Sequence, residues 1–259
     1  MLLSSVIIIL REVLETVLLM SIFLALSYRL GTGRRWVFIA IGFGCMLAYA
    51  YASAFDWVAA WYDGAGQEVV NATLQLSIYL CIVFFCVSVA RHHQQPQAKC
   101  LNRLMILGVS LAICREGSEI VLYLTSFMQT DALRQSALLG GMMGACIGLS
   151  IGILLYYILI SFPASVQFKV GFTMVILISA GLVSQATRLL IQIDWLPSQN
   201  MLWDTSVWLS ESSVSGQLLF ALIGYEATPT PIELYTHLAA IGLIILSTGL
   251  AYQSPSKPS

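Results

Sequence analysis

Arg11-Glu12-Val13-Leu14-Glu15 sits in the middle of a long apolar run, and Arg115-Glu116-Gly117-Ser118-Glu119 repeats the pattern 104 residues later in the middle of another. The same offset recurs outside the motifs. Ala40, Gly44 and Ala48, continued by Ala52, map at 104 residues onto Gly144, Gly148 and Gly152, which continue a stripe begun by Gly140. Small residues at every fourth position give a helix a flat face that a neighbour's backbone can approach closely. One such stripe alone is ordinary packing, but the shared offset reads as an internal repeat.

Of the 259 residues, 58% are apolar and 10% are charged, and mean hydropathy is +0.85. Soluble domains carry about a quarter of their residues as charge, so a soluble globular protein is excluded. No basic run supports nucleic-acid binding. The expected fold is an all-α polytopic membrane bundle of seven transmembrane helices, near residues Leu2–Ser27, Trp36–Ala60, Val69–Ala90, Leu104–Met128, Ala137–Ile160, Phe168–Leu190 and Glu233–Tyr252. The first run is too long for a signal core and lacks a basic leader, so it is expected to be retained. The expected plan is one transmembrane domain, 1–252, with a first three-helix repeat (1–90), a second (104–190), an outer loop (191–232) and a seventh helix (233–252), before a disordered cytoplasmic tail (253–259). Cys45, Cys81, Cys86, Cys100, Cys114 and Cys146 form no disulfide or metal-knuckle pattern and read as small apolar fillers.

Alternate connections differ in sign. Arg29, Arg34, Arg35, Arg91, Lys99, Arg103, Lys169 and Lys257 fall on one side with no acid among them. The positive-inside rule makes that side cytoplasmic, with the N-terminus outside and the C-terminus inside. Three spans separate the two motifs, so they run through the bilayer in opposite directions, as an inverted 3+3 repeat plus one extra C-terminal helix. Such repeats place their binding site near the midplane, where one half can rock against the other.

Residues on a helix advance by about 100° each, so Glu12 and Glu15 project into one sector with Arg11, and their β-carbons stand about 5 to 6 Å apart. Arg115, Glu116 and Glu119 repeat this. Three mid-span charges cost about 2.5 to 3.5 kcal/mol each, while the sixteen Leu, Ile, Phe and Val of the first run return about 5 to 10 kcal/mol. Charges tolerated on so small a margin pair with one another, face water or bind an ion. Four carboxylates against two guanidinium groups leave a surplus of two negative charges, which invites a multivalent cation or protons. Oxygen donors without thiolate or imidazole suit ferric iron and tolerate ferrous, manganous or magnesium ions. A ligand-free ion-pair network gluing the helices is the competing reading.

Two intramembrane Arg-Glu-x-x-Glu motifs in a seven-helix chain resemble the oxidase-dependent iron permeases, the high-affinity iron transporters of fungi and bacteria. The stretch from Asp204-Thr-Ser to Gly224-Tyr225-Glu-Ala-Thr-Pro229, with Glu233, resembles the region before the last helix of the bacterial members. The resemblance implies an iron ion permease of the cytoplasmic (inner) membrane. It implies that Glu12, Glu15, Glu116 and Glu119 are the metal ligands, with Arg11 and Arg115 supporting them. Iron is then substrate, no permanently bound cofactor is implied, and the partners are membrane lipid and an extracytoplasmic oxidase or iron-delivery protein. Val13 and Ser118 depart from the usual Arg-Glu-Gly-Leu-Glu, and Asn71 stands where a further acid is expected.

In the outer loop, Met201–Ser213 reads as an amphipathic piece with Asp204 and Glu211 on one face, followed by apolar Leu218–Ile223 that lies at the interface or dips back in. Asp204, Glu211, Glu226 and Glu68 are candidates for an outer mouth, although a solvated face explains the loop acids as well. His92-His93 could receive metal at the exit or belong to a polar loop, His237 reads as a hydrogen-bonded core residue, and Arg188 as snorkelling to the interface. Rival functions are transport of another divalent metal ion and a membrane-embedded metal-dependent enzyme. No histidine or nucleophile pattern accompanies the motifs, so the chain is not expected to be an enzyme. The connections are too short to hold a signalling domain.

Overall fold

In hydrocarbon a chain satisfies its backbone groups only as helices or a closed barrel, and these apolar runs form helices. The computed structural model describes residues 2–91, 98–127, 131–211 and 213–253. Among them are α1 (Leu2–Leu30), α2 (Arg35–Ser53), α3 (Phe55–Ala59), α4 (Gly66–Arg91), α5 (Ala98–Ser126), α6 (Asp131–Ser161), α7 (Ala164–Gln192), α8 (Val214–Ile223) and α9 (Pro231–Gln253), with no strand. Five of these, α2, α4, α6, α7 and α9, are long and apolar enough to cross a membrane. The motif helices α1 and α5 are each 29 residues long and carry the charges.

Three sequence expectations need correction. The second span breaks at Ala54, and the chain continues through α3 and a 3-10 turn at Trp61–Gly64 in which Tyr62 and Asp63 take positive φ. Met201–Ser213 is not helical among its described residues. The helix is instead the apolar α8, capped by Ser213, whose Oγ accepts from Gly216 N at 3.0 Å. Gln253 belongs to α9; 254–259 and His92-His93 lie outside the described residues.

The small-residue stripes set how the long helices pair. Gly140, Gly144, Gly148 and Gly152 of α6 ride along α1, meeting Leu2, Val6, Val13 and Val17 in turn. A Cβ on Gly144 would lie 2.5 Å from the Val6 carbonyl oxygen, so only glycine allows this approach. Ala40, Gly44 and Ala48 of α2 meet Ser110, Ile113 and Gly117 of α5 in the same manner, and Ser110 Oγ donates to the Ala40 carbonyl at 3.1 Å. Contacts that advance together mean that α6 runs parallel to α1, and α2 parallel to α5. Since the short Gly31–Arg34 turn reverses the chain between α1 and α2, α1 and α5 are antiparallel. Each motif helix thus packs on the second helix of the other half, while α4 packs on α7.

Toward one end the core closes into a packed layer, beyond which a cavity of about 580 Å³ lies between the ends of α1, α4 and α9 and the start of α7, lined by Leu30, Val89, Phe168, Phe172 and Tyr252 among others. Ile22, Phe23 and Leu26 of α1, Ile78, Ile82 and Phe85 of α4, and Met105 and Val109 of α5 close together with Val175 of α7. Phe23 and Phe85 meet at 5.0 Å between ring centroids. The other end is polar and open, and α8 enters from it to pack Ala221 against Leu10, Leu14 and Leu18 in the middle of α1. The six cysteines are unpaired.

Candidate metal centre

The antiparallel crossing of α1 and α5 brings the two motifs face to face. Carboxylate oxygens of Glu12, Glu116 and Glu119 all lie within 4.8 Å of one another, a span that one small cation can bridge. Glu15 stands apart from this trio. Its carboxylate accepts from Arg115 Nη1 at 3.1 Å and lies 3.5 Å from Arg11 Nε. Arg115 also pairs with Glu116 and so ties the halves together across the crossing. Glu12, Glu15, Glu116 and Arg115 are buried. Removing charge from water is costly unless each charge is met, and the cross-pairing meets part of that cost. Glu116 Oε2 and Arg115 Nε are left buried with no hydrogen-bond partner. A buried carboxylate with an unpartnered oxygen, close to two other carboxylates, fits a cation ligand.

Of the trio, Glu119 lines a polar cavity of about 270 Å³, together with Arg11 and Arg115, with Glu68, Asn71 and Gln75 of α4, and with Gln185 and Arg188 of α7, among others. Asn71 Nδ2 donates to Glu119 Oε1 at 3.1 Å and in turn accepts from the Tyr51 hydroxyl at 3.3 Å, so an amide steers one ligand without adding charge. Gln75 Nε2 donates to Gln185 Oε1 at 2.8 Å, leaving Gln75 Oε1 without a partner. Past Glu15 and Glu116 lies a void of about 20 Å³, lined by Leu19, Ile78, Ala112, Ile178 and Leu182, and then comes the packed layer. Phe220 of α8 borders both spaces, with the Arg11 guanidinium over its ring at 4.8 Å.

Further polar residues surround this centre. The sequence singles out Asn71 as standing in place of an expected acid, whereas it shows the amides Gln75 and Gln185 only as polar interruptions in apolar spans. Arg188 does not simply snorkel: its Nη2 lies 2.9 Å from Glu226, its Nε 3.3 Å from Glu233 and its Nη1 3.9 Å from Glu211. Glu233 and Thr230 form a capping box at the start of α9, with Thr230 N donating to Glu233 Oε2 at 2.7 Å. Glu226 is buried, and burial pushes its carboxyl up to about 7 even beside Arg188. Asp204 turns back on its own loop, accepting from Ser206 N at 2.8 Å, and these Ser206 hydrogen bonds hold its carboxyl below the ordinary value. It is exposed and does not join the other outer acids. Glu68 does line the polar cavity. His237 is the hydrogen-bonded residue expected, paired with Ser184 Oγ at 3.1 Å.

Two Arg-Glu-x-x-Glu motifs meeting beside a polar cavity coincide with a family match. The model of the iron permease FTR1 family matches residues 2–253. This chain belongs to that family. Among its curated relatives, the ferrous iron permease EfeU of Escherichia coli O6:H1 is 28% identical over 244 residues, 87% of each chain. That of Shigella sonnei is 26% identical over 243 residues, again 87% of each. That of Shigella flexneri is 30% identical over 177 residues, 64% of this chain and 75% of its own. No solved structure matches. Family membership and the five apolar helices make the chain a multi-pass membrane protein of iron transport, with iron ions as the species its family carries.

Proposed function

We propose that the chain imports iron across the cytoplasmic (inner) membrane, with Glu12, Glu116 and Glu119 as the ligands that strip the ion's hydration at mid-depth. The observation that carries this reading is the convergence of acid side chains from both motifs, one of which, Glu119, lines a polar cavity. Glu15, braced by Arg11 and Arg115, holds the two halves in register and serves as the next ligand once the arginines release it. Iron is substrate here, no resident cofactor is needed, and no chemistry is performed on it.

The bundle is read as seven spans within residues 1–252: α1, α2 with α3, α4, α5, α6, α7 and α9. The 1–90 and 104–190 segments are inverted halves, and α9 is an addition. The reciprocal pairing of α1 with α6 and of α2 with α5 supports this division. So do Arg29, Arg34, Arg35, Arg91, Arg103 and Lys169 beyond the packed layer, which the positive-inside rule assigns to the cytoplasm. The polar cavity then opens outward, with Glu68 at its mouth. The packed Phe23–Phe85 layer is the inner barrier, which rocking of the halves must open. By the family resemblance, an outer oxidase or iron-delivery protein is the expected partner; with ferrous iron as cargo, delivery without oxidation is the role that fits.

A surplus of two negative charges balances a divalent ion, and the relatives are named ferrous iron permeases, so ferrous iron is the proposed cargo. Reconstituted vesicles loaded with the full chain test this with radiolabelled iron, presented either as ferrous ion under ascorbate or as ferric citrate. Uptake should favour the ferrous arm and fall to background in Glu12→Gln and Glu116→Gln, with both variants still inserted. Normal uptake by either variant would overturn the assignment.

A further inference from the structure

Arg188 is the centre of a second charge cluster that the transport path does not require. Its three guanidinium nitrogens each take a different carboxylate, from Glu211 and Glu226 in the outer loop and Glu233 at the head of α9. One ion pair would suffice to neutralise it. Two of the acids have other duties, because Glu211 Oε1 accepts from Ala227 N at 2.6 Å and Glu233 caps α9. Glu226 has none. Its side chain is only 5% exposed, its Oε1 has no hydrogen-bond partner, and it lines a cavity of about 210 Å³ shared with Ser184, Glu233 and His237. A buried carboxylate left half-satisfied beside an imidazole and a hydroxyl is expensive unless a ligand completes it.

We propose that Glu211, Glu226 and Glu233 form a second, outer site for a divalent metal cation, in which the Arg188 guanidinium stands where the cation would sit and acts as a tethered counter-ion. Two features of the cluster support this. Three acids around one arginine leave two negative charges in surplus, the same surplus as in the central motifs. The donor set is carboxylate oxygen with imidazole nearby, which suits borderline divalent ions such as ferrous, manganous or zinc. Arg188 also borders the cavity that leads to Glu119, so the site lies next to the route proposed above. The inference deepens that reading by adding a staging position, but its test measures binding rather than transport.

The full chain in lipid nanodiscs is titrated with Mn²⁺ at neutral pH, and unbound Mn²⁺ is counted by electron paramagnetic resonance. Wild type should bind two ions per chain. The Glu12→Gln/Glu116→Gln variant should retain one, and adding Glu226→Gln to it should abolish that one. Glu226→Gln alone should keep the central ion, which shows that it folds. In the Glu12→Gln/Glu116→Gln background, Arg188→Gln should tighten the remaining site at least about tenfold, because a like charge a few ångströms from the cation is gone. A purely structural cluster would instead loosen on losing its arginine. No Mn²⁺ bound in the Glu12→Gln/Glu116→Gln variant, or an unchanged or weaker site with Arg188→Gln, would overturn the proposal. If the central ion alone is missing, the transport reading fails and the outer site stands.

Discussion

The two charge clusters of this permease are alike in arithmetic and unlike in construction. Each surrounds arginine with a surplus of two negative charges. In the central cluster all six residues ride on two helices, α1 and α5, whose approach is fixed by the small-residue stripes that seat them on α6 and α2. In the outer cluster, residues from the end of α7, an irregular loop and the head of α9 meet around one guanidinium. The helix-borne cluster sets its acids on two fixed elements, as the proposed transport requires. The loop-built cluster is partly open, its arginine being 39% exposed, and is suited to exchange with solvent.

The largest expected contrast is in uptake. Glu116→Gln should bring vesicle iron flux to background, whereas Glu226→Gln should slow it only several-fold, since it removes a position beside the route and not on it. Equal losses would erase the distinction. The arginines should differ next. Arg115 is 8% exposed and bridges Glu15 and Glu116, so Arg115→Gln strands buried carboxylates and should cost about 3 to 5 kcal/mol of stability. Arg188→Gln should cost about 1 kcal/mol or less, since a partly exposed pair is screened. Thermal melting in nanodiscs separates the two.

Gly144→Leu sharpens the contrast from the packing side. With the Val6 backbone against that face, the larger side chain must push α1 off α6, at about 1 to 3 kcal/mol or more. Central Mn²⁺ binding should weaken while the outer ion stays, and loss of both would mean that the clusters are not independent. The smallest effect is in pH. Burial raises the Glu226 carboxyl from an ordinary 4.5 to about 7, so the folded state holds a proton that the unfolded state has released in between. Its contribution to metal-free stability is therefore full below about 4.5 and is lost as pH rises through about 7. Melting curves of the metal-free protein should show this decline in wild type and a flatter profile in Glu226→Gln.

The same contrast explains what the sequence made legible. Periodicity carries information along a helix, so the motifs, the stripes and their common offset announced the long helices and the meeting of the two motifs, with all four glutamates expected together. The unequal roles of the glutamates were not legible, because spacing alone cannot say that Glu15 falls to the arginines. Nor was the course of α8: Leu218–Ile223 is apolar enough for an interface or a core, and only packing against Leu10, Leu14 and Leu18 decides. Arg188, Glu211, Glu226 and Glu233 have no common period, and their meeting depends on loop geometry that no local pattern encodes. One signal was available, since Thr230-Pro231-Ile232-Glu233 is a capping-box pattern and fixes where α9 begins.

Anomalous diffraction at the iron edge, from crystals of the full chain equilibrated anaerobically with ferrous ion, tests the central arrangement most directly. A peak bounded by Glu12, Glu116 and Glu119 and absent from Glu116→Gln is the expected result. Iron bound elsewhere while this trio stays empty, or a peak that survives Glu116→Gln unmoved, would contradict the claim that the crossed motifs are the metal's seat.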